Sequence, residues 1–157
     1  MRATDTMAGG LAGATLLTLV HETVRRAVPK APRMDLLGMQ ALAKGLHKLG
    51  LNIPNPTRLF YYTMAGDLVS NALYYSLGGV NNRKIVLRAT LLGLAAGVGA
   101  ILLPEKMGLN DAPSSRTTAT KLMTVGLYLL GGLAAGIVQR AMQKKRQPKA
   151  AGKALVL

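Results

Sequence analysis

Residues 59–80 read LFYYTMAGDLVSNALYYSLGGV, with Asp67 the single formal charge among them. A stretch of this length can cross a hydrocarbon core of about 30 Å at a rise of about 1.5 Å per residue. A carboxylate in hydrocarbon, however, is unfavourable by several kcal/mol unless it is paired, wetted or protonated. Asp67 therefore either argues against a membrane span or marks where the span keeps its polar chemistry.

The rest of the chain favours the second alternative. Half of the 157 residues are hydrophobic (50%) and 18 are glycine, and the apolar residues are gathered into blocks. Windows 7–26, 86–104 and 120–140 join 59–80 as near charge-free stretches bordered by basic residues. The expected fold is an all-α membrane protein, a four-transmembrane-helix bundle forming one domain over residues 1–143. A small soluble bundle, the competing fold, rarely has four helices apolar on every face. Arg2 before an apolar run resembles a signal peptide, but no small-x-small cleavage site precedes HETVRR, so an uncleaved first span is expected.

Between spans one and two, MDLLGMQALAKGLHKLGL sets Leu36, Leu37, Met39, Leu42, Leu46, Leu49 and Leu51 against Lys44, His47 and Lys48. This predicts an amphipathic helix over 35–50, capped by Asp35 and ended by Pro54 and Pro56. It is too short and too charged to span, so it is expected in the membrane interface or as a lid over the span ends.

Twenty Lys and Arg against six Asp and Glu give a formal net charge of +14. Arg25, Arg26, Lys30 and Arg33 follow span one; Arg83, Lys84 and Arg88 join spans two and three; Arg140, Lys144, Lys145, Arg146, Lys149 and Lys153 form the tail. These runs carry no stacking aromatics, which excludes a nucleic-acid interface. The expected partner is a lipid bilayer with anionic headgroups, at about 1 kcal/mol per basic residue. The tail, residues 144–157, is expected to be disordered and to meet headgroups through Lys144, Lys145 and Arg146. Basic residues divide ten to ten between the two sides of the bilayer. The dense tail then favours cytoplasmic termini.

Glycines predict the packing. Gly9 and Gly13, Gly93 and Gly97, and Gly132 and Gly136 each form a small-xxx-small face on which helix backbones approach closely. Packing within the chain is the expected use of these faces. A homodimer or a larger membrane complex is the alternative.

Thr63, Asp67, Ser70, Asn71 and Tyr74 recur at helical spacing, so span two carries a polar stripe that faces the bundle. With antiparallel spans, Thr18, His21, Glu22 and Arg25 approach Asp67 from span one, and Lys121, Thr124 and Tyr128 from span four. Asp67 lies about 13 Å inside the membrane counted from Arg58. The expected contacts are Asp67 with His21 and Thr18, and Glu22 with Arg25 or Arg26.

Enzyme chemistry is not expected. HETVR has the first half of a zinc-protease signature, but Arg25 stands where the second His would be required. His21 and His47 alone make no metal site, Ser114 and Ser115 have no evident base, and the chain has no cysteine. No metal and no cofactor are therefore expected.

The glycine-rich first span, the segment Ala31-Pro32-Arg33-Met34-Asp35, the AGD of residues 65–67 and the glycine-rich fourth span give a layout that resembles the YagU-like four-span proteins. The resemblance implies a bacterial inner-membrane protein and assigns no functional residue. Three functions fit the sequence: a structural or accessory subunit in which the polar cluster is glue, a small transporter or channel subunit using Asp67 and Glu22, and a lipid-interacting protein.

Overall fold

The computed structural model describes residues 2–80 and 84–146, and its elements are all helical. They are α1 (Ala3–Ala27), α2 (Met34–Lys48), α3 (Pro56–Ser76), a 3-10 turn (Leu77–Gly79), α4 (Ile85–Lys106), α5 (Ala112–Ser115) and α6 (Thr118–Arg146). Of these, α4 and α6 are by themselves long and apolar enough to cross a membrane. The expectation that all four windows qualify alike needs correction. Asp5, His21, Glu22 and two arginines dilute α1, and Arg58, Asp67, Asn71 and the tyrosines dilute α3.

Helix ends also depart from the windows. α3 starts three residues before position 59 because the Asn55 side chain accepts the Arg58 N–H at 2.9 Å and Pro56 occupies the first turn. It ends at Ser76, since the backbone tightens into the 3-10 turn where Gly78 lies against Ala89. α2 ends at Lys48 because Gly50, at φ 69°, turns the chain left-handed. Asp35 is not the cap expected of it; Arg33 is the N-cap, and Asp35 lies in the first turn. α6 carries through Lys144 and Lys145 to Arg146, beyond the expected border at 143. The expected tail from position 147 onward, and Arg83, lie outside the described residues.

α6 is the axis of the molecule, packed along α4 on one side and α1 on the other, while α3 lies mainly on α1. The glycines make this possible. A Cβ at Gly97 would come within 2.8 Å of Val125 Cα, and one at Gly136 within 2.8 Å of Val86 Cα. Gly93 and Gly132 fill the same α4–α6 seam, whereas Gly9 and Gly13 face Gln139, Ala135 and Gly131 across the α1–α6 seam. All six glycines thus meet helices of their own chain.

The interior is unusually polar. Asp5, His21, Asp35, Thr63, Asn71, Thr120, Thr124 and Gln139 are buried beside a small apolar core of Ala14, Leu17, Tyr75, Leu127 and Ala135. Gln139 Nε2 donates to Thr6 O at 3.1 Å and Tyr75 O at 3.0 Å, pinning α1, α3 and α6 together. Large apolar side chains meanwhile point outward from every long helix, as at Leu11, Val69, Leu91 and Leu122.

Candidate functional site

α3 and α4 are consecutive in the chain yet diverge. Each is drawn to a different neighbour, α3 to α1 and α4 to α6, so the pair packs little against each other. Tyr74 Oη donates to Leu92 O at 3.2 Å and marks the point beyond which they splay. At the wide end α2 lies across the gap. Lys44 Nζ donates to Met107 O at 2.6 Å and Gly108 O at 3.0 Å, and Gln40 Oε1 accepts the Asn110 N–H, fastening α2 to the end of α4.

The result is a groove of about 550 Å³. One wall is polar, formed by Asp67, Ser70, Asn71 and Tyr74 of α3; the other is small and apolar, formed by Ala95, Ala96, Gly99 and Ala100 of α4. Tyr128 of α6 contributes the floor, and Met34, Leu37, Gly38 and Ala41 of α2 contribute the lid.

Asp67 is half-buried at this wall. Its Oδ1 accepts the Asn71 side-chain N–H at 3.0 Å, and no Lys or Arg among the described residues pairs with it. The expected hydrogen bonds from His21 and Thr18 are therefore not formed. His21 Nε2 is instead 3.1 Å from Pro32 O and 3.3 Å from Met34 N, because the chain returning into α2 passes directly over the imidazole. Thr18, His21, Thr63 and Asp67 nevertheless line one common small cavity.

Glu22 and Arg25 belong to a separate ionic cluster. Arg25 donates to both Glu22 oxygens at 2.6 Å, with Arg26 at 3.3 Å, and the Arg25 guanidinium lies 5.8 Å from the Phe60 ring centre. Arg33 grips Asp35 at 2.9 and 2.7 Å, and Arg25 reaches it at 3.8 Å. Burial pushes the Asp35 carboxyl up, but the Arg33 hydrogen bonds and the two positive charges outweigh it and hold the group below its ordinary value. Asp35 in turn raises Arg33. This cluster clamps the start of α2 onto the end of α1.

Lys121 does not join either group. It is exposed, since the register of α6 turns Thr120 and Thr124 inward to Lys30 O and Ser114 O. Lys144 and Lys145 are also exposed. Asp35, read from sequence as a cap, is the group that reasoning missed; the Pro-Arg-x-Asp spacing of residues 32–35 was its signal. The α4 wall was missed as well, because its alanines and Gly99 lie off the Gly93–Gly97 face.

Fold and site define a chain whose described elements are all helical, two of them long and apolar enough to cross a membrane, with a carboxylate-lined groove and an ionic clamp beside it. No family model matches the chain, and no curated protein or solved structure matches it.

Proposed function

We propose that this is a multi-pass membrane protein, with α1, α3, α4 and α6 crossing the bilayer and α2 in the interface, and that its groove binds a small amphiphilic cation. The observation that carries the reading is Asp67, a carboxylate without a basic side-chain partner on the wall of a 550 Å³ groove. Cavities that bind small molecules are about 300–1,000 Å³, mostly apolar, with a few polar groups that orient the ligand. The wall of Ala95, Ala96, Gly99 and Ala100 suits an apolar body, while Asp67, with the Tyr74 and Tyr128 rings, suits a positive head.

Membrane insertion is supported by the outward apolar side chains on all four long helices together with the polar interior. The YagU-like layout implies the bacterial inner membrane, and the exposed Lys144 and Lys145 suit anionic headgroups on the cytoplasmic side. The role is binding or transport without catalysis.

Equilibrium dialysis with tetraphenylphosphonium tests the reading. The purified protein should bind it saturably, and Asp67→Asn should weaken binding about tenfold or more, equivalent to about 1.4 kcal/mol. The variant should unfold at an unchanged temperature. A structural or accessory role is the second reading, favoured by the small-residue wall of α4, on which a partner helix could pack closely. Unaltered cation binding in Asp67→Asn, or none in the parent protein, would favour it.

A further inference from the structure

Sharing Met34, Asp67 and Tyr128 with the groove, a second cavity of about 20 Å³ is enclosed by α1, α2, α3 and α6. Thr18, His21, Asp35, Thr63, Asp67 and Tyr128 contribute to its lining. The hydroxyls of Thr18 and Thr63 are both buried and have no hydrogen-bond partner among the described residues. Helical threonines usually satisfy themselves on the carbonyl four residues back, as Thr23, Thr90 and Thr124 do here. That two should fail to do so at one cavity calls for a partner inside it. A polar space above about 10–15 Å³ accommodates one water.

His21 is suited to both protonation states at this place. Its Nε2 has an acceptor, Pro32 O, and a donor, Met34 N–H, at comparable distances of 3.1 and 3.3 Å. An imidazole that has gained a proton donates from Nε2 to Pro32 O; a neutral one accepts there from Met34 N–H. Its Nδ1 lies 3.7 Å from Glu22 Oε1, toward the ionic clamp.

We propose that this cavity is a water site held by Thr18 and Thr63, and that it relays protons between Asp67 and His21. The water accepts the carboxyl proton and gives one of its own to Nε2 of His21, which gives up the Met34 N–H and donates to Pro32 O, so the positive charge moves from the span to the α1–α2 junction as Asp67 becomes a carboxylate. The titratable and charged groups around the pair are Glu22 and Arg25 from α1, Asp35 from α2 and Tyr128 from α6. α4 offers Asp67 only its apolar wall. The relay shares Asp67 with the proposed cation site but needs no cation, so a failure to bind cations leaves it standing.

The test is infrared spectroscopy of the full-length protein in phosphatidylethanolamine–phosphatidylglycerol vesicles, paired with thermal unfolding. The protonated Asp67 carboxyl band, assigned by its loss in Asp67→Asn, is followed after transfer from H2O to D2O. In Thr18→Val/Thr63→Val its exchange should slow several-fold, and the midpoint of unfolding should fall by a few degrees. An unchanged exchange rate overturns the relay whatever the midpoint does, and so does the lack of any such band at every pH where the protein stays folded. A raised midpoint overturns the water site, because valine stabilises only where the hydroxyls had been buried unsatisfied.

Discussion

Asp35 shows how much one carboxylate can hold in place. Bound by Arg33 and approached by Arg25, it fixes the first turn of α2 over the end of α1. Its position in the first helical turn adds a favourable interaction with the helix dipole. Because its folded-state pKa lies below the ordinary 3.8, its contribution is complete above that value and is lost as the pH falls through the lower folded one. Asp35→Asn should therefore lose about 1.5–3 kcal/mol near neutrality. Unfolding followed by circular dichroism at a series of pH values should show wild type and variant converging at strongly acidic pH. A gap that persisted there would assign the loss to packing and not to charge.

Sequence alone could not give Asp35 this role, since a residue two places after an arginine in a Pro-containing linker reads equally well as a helix cap. Asp67 was legible in another sense. Its helical spacing with Thr63, Asn71 and Tyr74 gives the inward stripe, but its hydrogen-bond partner depended on where the 28–33 linker runs, and that linker takes His21 for itself.

At the scale of elements, the glycine faces were the most legible feature, because close backbone approach needs a residue without a Cβ and little else satisfies it. The contrast with other glycines makes this measurable. Gly97→Ala and Gly136→Ala place a methyl against backbone at 2.8 Å and should destabilise by about 1–3 kcal/mol. Gly126→Ala, in the same α6 but with nothing within 4 Å, should be neutral or gain about 0.5–1 kcal/mol. Unfolding midpoints of the three variants decide it; equal effects would mean that the seams yield.

Helix ends were less legible, for a related reason. Apolar windows report where hydrocarbon would end, whereas Lys and Arg are good helix formers, so α6 continues past the apolar border into its basic residues. The splaying of α3 from α4 was not legible at all. It follows from competition between seams, which depends on all four helices together.

At the scale of the whole molecule, the number of crossings governs everything built on the groove. α4 and α6 qualify as spans by themselves, and α1 and α3 do not. If only two helices crossed, Leu11 on α1 and Val69 on α3, each more than half exposed, would face water together with the other outward apolar side chains of those helices. If all four cross, the same side chains face lipid, and Asp5, His21, Thr63 and Asn71, which lower the hydropathy of α1 and α3, are buried in the bundle. The chain has no cysteine, so single cysteines can be read without background. Introduced at Leu11, Val69, Leu94 and the exposed Lys106, they should divide under a water-soluble maleimide present on both sides of the vesicle membrane. Lys106→Cys should label at once, and the other three only after denaturation. Labelling of Leu11→Cys and Val69→Cys with Leu94→Cys still protected would establish a two-span protein. The groove would then open toward water rather than lipid, and a cation entering it would come from the aqueous phase.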